Sequence, residues 1–82
     1  MIIQVLGTGC ARCKTLFENA QKAVQETGVD ALLEKIEDIQ KIMAFDILMP
    51  PGLVVDGIVR AAGRVPNVEE IKRLILAAKE GV

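Results

Sequence analysis

The sequence predicts an α/β fold in which helices cover both faces of a mixed four-stranded sheet. Four short apolar runs are typical of strands, and two longer segments repeat apolar residues with the 3.6-residue period of a helix. The chain has 82 residues, of which 51% are hydrophobic, and this suffices for one small packed core. We therefore expect a single domain over residues 1–82 with the element order β-α-β-α-β-β-α.

The N-terminal half predicts a strand, a helix and a second strand. Residues 2–6 form a short buried strand that ends at the glycine-containing residues 7–9. A helix covers residues 13–24, and Gly28 suits its end. Its apolar face consists of Cys13, Leu16, Phe17, Ala20, Ala23 and Val24. Residues 31–37 form the second strand, which should run parallel to the first because a helix connects them.

A short helix and a proline pair follow the second strand. Asp38 can cap a helix that carries Ile39, Ile42 and Met43 on one face. The two prolines at positions 50–51 stop any helix, because proline has no amide donor. Methionines in such segments usually fill gaps in the core, so we expect Met43 and Met49 to be core residues. The acidic residues 34, 37 and 38 are expected in solvent or at the helix cap.

The C-terminal part predicts a hairpin and a last helix. The apolar residues 53–55 and 58–59 flank Asp56-Gly57, a pair that favours a two-residue type I′ turn. Asn67 followed by Glu70 resembles a capping box at the start of the helix. The apolar face of this helix consists of Val68, Ile71, Leu74, Ile75 and Ala78.

Composition and charge exclude several classes of function. The 10 Lys and Arg residues against 11 Asp and Glu residues give a net charge of -1, so no excess of basic charge favours nucleic acid. Histidine is absent, which excludes histidine-based catalysis and most zinc sites. No apolar stretch is long enough for a membrane span, and the N-terminus lacks a signal-peptide pattern. We expect a cytoplasmic monomer that uses no cofactor.

Cys10 and Cys13 form a Cys-x-x-Cys pair where the first strand gives way to the first helix. Unpaired amides and the helix dipole at a helix N-terminus favour an anion, so a thiolate there should be stabilised and its pKa lowered. Arg12 and Lys14 add positive charge nearby and should tune the same pKa. Because the thiolate is the nucleophile in thiol–disulfide exchange, this position favours redox chemistry.

Helix phase assigns different environments to the two sulfurs. Cys13 falls on the apolar face and should point towards the core, whereas Cys10 lies at the helix tip. An exposed thiol that attacks and a sheltered thiol that resolves are what disulfide exchange requires. Two other interpretations stay open. The same thiolates could hold a soft ion such as Cu(I) in a metal carrier or sensor, or the pair could be a regulatory switch that changes the binding surface of the protein.

Three motifs together resemble the thioredoxin-fold superfamily. More narrowly, the chain is similar to the small, glutaredoxin-sized redox-active disulfide proteins of archaea and bacteria. The motifs are GCARC at residues 9–13, PGLVVDG at residues 51–57 and AGRVP at residues 62–66. The resemblance covers nearly the whole chain and implies a minimal thioredoxin fold. It also implies a thiol–disulfide oxidoreductase that acts on protein or small disulfide substrates and receives electrons from an upstream reductase.

The resemblance implies a role for five residues. Cys10 is the attacking nucleophile and Cys13 is the resolving thiol. Pro51 matches the proline that follows a cis peptide bond and packs beside the disulfide. Pro50 and Gly63 match positions that border the substrate chain.

The sequence departs from larger thioredoxins at positions that matter for the chemistry. Residues 9 and 11–12 replace a Trp and a Gly-Pro pair, and Gln4 stands where those proteins bury a carboxylate that accepts the proton of the resolving thiol. We therefore expect slow resolution, which Gln4→Asp should speed at a cost in stability. The heavy-metal-associated domain, a copper carrier, also has Cys-x-x-Cys after its first strand. That fold ends on a strand, whereas this sequence predicts a final helix.

Overall fold

The computed structural model describes residues 1–9, 11–47 and 49–79. Within these residues the elements follow the predicted order. They are β1 (Ile2–Leu6), α1 (Ala11–Thr27), β2 (Leu32–Ile36), α2 (Ile39–Met43), β3 (Gly52–Val55), β4 (Ile58–Ala62) and α3 (Val68–Lys79).

The four strands form one mixed sheet in the order β2-β1-β3-β4. β1 pairs with β2 in parallel, and β3 pairs antiparallel with both β1 and β4. This arrangement confirms the predicted mixed sheet, its parallel first pair and its antiparallel hairpin. β1 lies between β2 and β3, so its C-terminal end brings the Cys-x-x-Cys segment to the middle of the sheet.

The helices cover opposite faces of the sheet, because successive side chains of a strand point to opposite sides. Ile3 and Val5 of β1 belong to one buried cluster together with residues of α1 and α3. Leu6 of β1 belongs to a second cluster with Val54 and with Ile42 of α2. The larger cluster thus lies under α1 and α3, and α2 covers part of the other face.

Helix α1 is longer than its apolar pattern predicts. It begins at Ala11, two residues before the predicted start at Cys13. Ala11 and Arg12 are exposed, so the apolar pattern could not include them. It ends at Thr27, and Gly28 follows with a φ of 69° and donates its amide to the Val24 carbonyl oxygen over 3.0 Å. The glycine therefore closes the helix in the left-handed conformation, as predicted.

The hairpin turn also follows its sequence signal. Asp56 and Gly57 have φ values of 50° and 83°, the two positive values that a type I′ turn requires. The Asp56 carboxylate accepts a hydrogen bond of 2.7 Å from the Ile2 amide, so the turn is also tied to β1. β4 continues to Ala62, beyond the predicted residues 58–59, and its pairing with β3 shifts register between Leu53 and Val54.

Side-chain caps begin both later helices. Asp38 accepts from the Gln40 amide over 2.9 Å, and Asn67 accepts from the Glu70 amide over 2.8 Å. The Glu70 carboxylate binds the Arg64 guanidinium through two hydrogen bonds of 2.6 and 2.9 Å. These bonds, chiefly, hold the pKa of Glu70 below its ordinary value. Only the Asn67 half of the expected capping box is seen, since the Glu70 side chain binds Arg64.

Across the described ranges 1–9, 11–47 and 49–79, no helix has the length and apolar character that a bilayer crossing demands.

Candidate active site

Helix α1 begins at Ala11, directly after Cys10, so the Cys-x-x-Cys segment lies at a helix N-terminus as predicted. The first turn holds no acidic residue, and it carries Arg12 and Lys14. A thiolate at this end would therefore meet helix amides and positive charge without a carboxylate in the same turn. Cys10 itself lies outside the described residues, and its exposed position stays a prediction.

Cys13 occupies the sheltered position that helix phase predicts. Its relative exposure is 1%, and it lies in the second position after Ala11 on the face of α1 that packs on the sheet. Gly7, which follows β1, is buried and lies directly against Cys13. The resolving thiol of the proposed pair is therefore shielded from solvent and held between α1 and the end of β1.

Arg12 connects the start of α1 to the turn after β4. Its guanidinium Nη2 donates a hydrogen bond of 2.9 Å to the carbonyl oxygen of Gly63. The amide of Gly63 in turn donates to the carbonyl oxygen of Pro51 over 2.9 Å. Arg12, Gly63 and Pro51, three residues of different sequence motifs, are therefore joined by two consecutive hydrogen bonds. Lys14 is exposed on the same helix.

The Pro50–Pro51 peptide bond is cis, and the two prolines differ in environment. Pro51 is buried, whereas Pro50 is exposed. Pro50 lines an apolar cleft of about 320 Å³ between the loop after β1 and α2. The other residues of this cleft are Thr8, Ile39, Ile42, Met43 and Ile47.

The prediction that Met43 and Met49 fill the core is wrong. Their relative exposures are 66% and 61%. Helix α2 has only five residues, and Ile42 takes its buried position, so Met43 on the neighbouring position faces outward. Met49 precedes the proline pair and contacts the Gly63 turn, where an added Cβ would lie 3.8 Å from the Met49 Cβ. Both methionines thus form part of an exposed apolar surface around Pro50.

Gln4, at the position where larger thioredoxins bury a carboxylate, is bound to the neighbouring strand β2. It is half-buried, and its side-chain amide donates to the Glu34 carboxylate over 3.2 Å. It alternates with Ile3 and Val5, which face α1, so it lies on the sheet face that carries α2. The expectation that position 4 is buried is therefore corrected: the position is half-buried, and its side chain binds Glu34 of the neighbouring strand.

Glu37, which the sequence predicts to lie in solvent, is a neighbour of the loop that follows β1. It is exposed, but its carboxylate lies 3.5 Å from the point that a Cβ on Gly9 would occupy. The signal was available in the topology, because the C-terminal ends of the parallel strands β1 and β2 meet at the same edge of the sheet. The carboxylate therefore stands beside the residue that precedes Cys10.

Among residues 1–9, 11–47 and 49–79, no group of three His, Cys, Asp or Glu side chains is close enough to hold a metal ion. Cys10 is outside this range, so the two-thiolate Cu(I) interpretation is not tested.

Comparison with known proteins identifies the family. A family model described as a thioredoxin domain matches residues 1–76. A thioredoxin of Methanothermobacter thermautotrophicus is 47% identical over 75 residues, covering 92% of this chain and 97% of that protein. A thioredoxin of Methanocaldococcus jannaschii is 37% identical over 81 residues, covering 99% of this chain and 93% of that protein. These matches confirm the resemblance drawn from the three motifs, and the chain belongs to the thioredoxin-domain family.

Proposed function

We propose that this protein is a thiol–disulfide oxidoreductase that reduces disulfides of partner proteins through Cys10 and Cys13. The observation that carries the proposal is the buried position of Cys13, three residues after Cys10 in the sequence. Cys13 lies in the first turn of α1, the helix that follows the inner strand β1. Membership of the thioredoxin-domain family and the similarity to two thioredoxins support the same activity.

The reaction proceeds in two exchanges. The Cys10 thiolate attacks one sulfur of the substrate disulfide, forms a mixed disulfide and releases the other substrate sulfur as a thiolate. The Cys13 thiolate then attacks the Cys10 sulfur, which releases the second substrate thiolate and leaves a Cys10–Cys13 disulfide. The substrate gains two electrons and the protein loses two. A second thiol donor, which we propose is an upstream reductase, must return them.

The surface beside Pro50 suits a polypeptide substrate. Ile39, Met43 and Met49 are exposed beside Pro50, and exposed apolar groups of this kind favour contact with a partner. An extended chain could lie over this surface, between Pro50 and Gly63. The carbonyl of Pro50 remains an acceptor for such a chain, but proline supplies no amide donor. We further propose that the protein works as a monomer. We propose the cytoplasm as its compartment, since the cytoplasm keeps such thiols reduced.

Insulin reduction with dithiothreitol tests the proposal. The wild-type protein should accelerate the precipitation of insulin chains, Cys10→Ser should abolish this acceleration, and Cys13→Ser should accumulate a mixed disulfide. Cu(I) binding by competition with a chromogenic chelator is measured alongside. If the protein binds Cu(I) tightly and does not accelerate insulin reduction, the two thiolates serve a metal carrier and the oxidoreductase proposal is wrong.

A further inference from the structure

Gly7 approaches Cys13 more closely than any residue with a side chain could. A Cβ added at Gly7 would lie 2.7 Å from the Cβ of Cys13 and closer still to its sulfur. Ordinary contact for such an atom begins at 3.4 Å. The sulfur, which ends the side chain, could rotate away, but the Cβ of Cys13 is attached to the helix backbone and could move only with the helix. Position 7 therefore admits only glycine while Cys13 keeps its place.

The backbone of Gly7 gives no other reason for glycine. Its φ lies outside the left-handed region, in contrast to Gly9, Gly28, Gly57 and Gly63, whose φ values are 89°, 69°, 83° and 75°. An L-residue could thus adopt this backbone without strain. Proximity to Cys13 is the constraint at this position.

The opposite side of Gly7 is fixed by the sheet. Its amide donates to the carbonyl oxygen of Ile36 over 2.9 Å and continues the β1–β2 pairing by one residue. The residue is buried, so the strand end has little room to retreat. If a side chain were added here, Cys13 would have to move instead.

We propose that Gly7 is a positioning residue for the resolving thiol, which rests on the proposed function of Cys13. By presenting bare backbone, Gly7 lets the Cys13 sulfur lie against the end of β1, sheltered from solvent and held for attack on the Cys10 sulfur. Attack on a disulfide needs the nucleophile near contact distance and in line, and a misplacement of about 1 Å can cost on the order of a hundredfold in rate.

Gly7→Ala tests the proposal in a single-turnover measurement with dithionitrobenzoate, an aromatic disulfide. Cys10 attacks this reagent and releases one nitrothiobenzoate, and Cys13 releases the second when it resolves the mixed disulfide. In Gly7→Ala the second release should slow about 10- to 100-fold. In a Cys10→Ser background, Gly7→Ala should also let iodoacetamide label Cys13 faster, because the sulfur leaves its shelter.

Gly28→Ala is the matched control. It is the same substitution, it strains a positive φ of 69°, and no atom lies within 4 Å of the added Cβ. It should lower stability without changing the second release or the labelling of Cys13. An unchanged second release in folded Gly7→Ala overturns the proposal, whether or not labelling rises, and so does an equal slowing by Gly28→Ala.

A second variant decides the matter if Gly7→Ala does not fold. Gly7→Ala combined with Cys13→Gly moves the Cβ from one side of the contact to the other and removes the overlap. If this double variant folds, the contact with Cys13 is what forbids a side chain at position 7. If it also fails to fold, the constraint lies elsewhere and the proposal is wrong. Folding and labelling do not depend on exchange activity, so these results are separate from a failure of the proposed function.

Discussion

The guanidinium of Arg12 donates a hydrogen bond of 2.9 Å to the carbonyl oxygen of Gly63, 51 residues away in the sequence. Gly63 in turn donates its amide to Pro51. One side chain of the Cys-x-x-Cys segment therefore holds the turn that borders the proposed substrate path. This contact is separate from the charge effect on the thiols that the sequence predicts for Arg12, and Lys14, which is exposed in the same helical turn, provides the comparison.

Arg12→Ala should lower stability, and Lys14→Ala should not. Loss of the Arg12–Gly63 hydrogen bond should reduce the free energy of unfolding by about 0.5–1.5 kcal/mol, whereas an exposed substitution such as Lys14→Ala should change it by less than about 0.5 kcal/mol. Urea unfolding measures both. Arg12→Ala should also raise the KM for insulin more than Lys14→Ala does. Equal effects of the two variants on stability and KM would mean that Arg12 acts only through its charge.

Gln4→Asp should destabilise the protein without speeding resolution. The new carboxylate would oppose Glu34 across the β1–β2 pair, and opposed like charges cost about 0.2–1 kcal/mol. Gln4→Asn is the matched control, because asparagine has the size of aspartate and carries no charge. Gln4→Asp combined with Glu34→Gln should recover the loss. The second release of nitrothiobenzoate should stay at the wild-type rate, since position 4 faces α2. A faster release would show that a carboxylate at position 4 does reach the Cys13 proton.

Pro50→Thr and Pro50→Ala both restore an amide donor beside the proposed substrate path. A net hydrogen bond contributes about 0.5–1.5 kcal/mol, which corresponds to roughly 2- to 13-fold in binding. Both variants should therefore lower the KM for insulin within that range. The two side chains differ, so a shared effect identifies the amide as its cause. If neither variant lowers the KM, Pro50 serves only to stiffen its loop.

The Arg64–Glu70 pair should make stability depend on pH in the acid range. The pKa of Glu70 is lowered in the folded protein, chiefly by the hydrogen bonds from Arg64. A depressed carboxyl pKa contributes stability that is fully present above the unfolded value of about 4.5 and is lost as the pH falls through the folded pKa.

Glu70→Gln isolates this contribution, because it keeps the backbone amide that Asn67 caps. The urea midpoint of Glu70→Gln should lie below that of wild type at neutral pH, and the difference should close as the pH falls through the lowered pKa of Glu70. A difference that persists unchanged in acid would show that the charge of Glu70 is not involved.

Local signals predicted most of the fold. Turn chemistry at Asp56-Gly57, the cap at Asp38 and the apolar period of α1 act over a few residues, so the sequence alone carries them. The same period placed Cys13 in the core, where it lies. The exposed first residues of α1 were not predicted to be helical, because the hydrophobic period registers only buried positions.

The remaining features depend on contacts between distant segments. Arg12 meets Gly63 only after the sheet is assembled, and Glu37 lies near Gly9 only because β1 and β2 end side by side. Met43 is exposed because α2 is short and Ile42 already fills its buried position. Neither composition nor spacing contains these distances, and the close approach of Gly7 to Cys13 is likewise visible only in three dimensions.

The division of roles between the two thiols is the central claim, and alkylation tests it most directly. The reduced protein is treated with a limiting amount of iodoacetamide at neutral pH, and the labelled peptides are mapped by mass spectrometry. Cys10, which the sequence predicts to be exposed, should be labelled first, and Cys13, with 1% exposure, should react only slowly or after unfolding in urea. Preferential labelling of Cys13 in the folded protein would contradict the assignment of Cys10 as the attacking thiol and Cys13 as the resolving thiol.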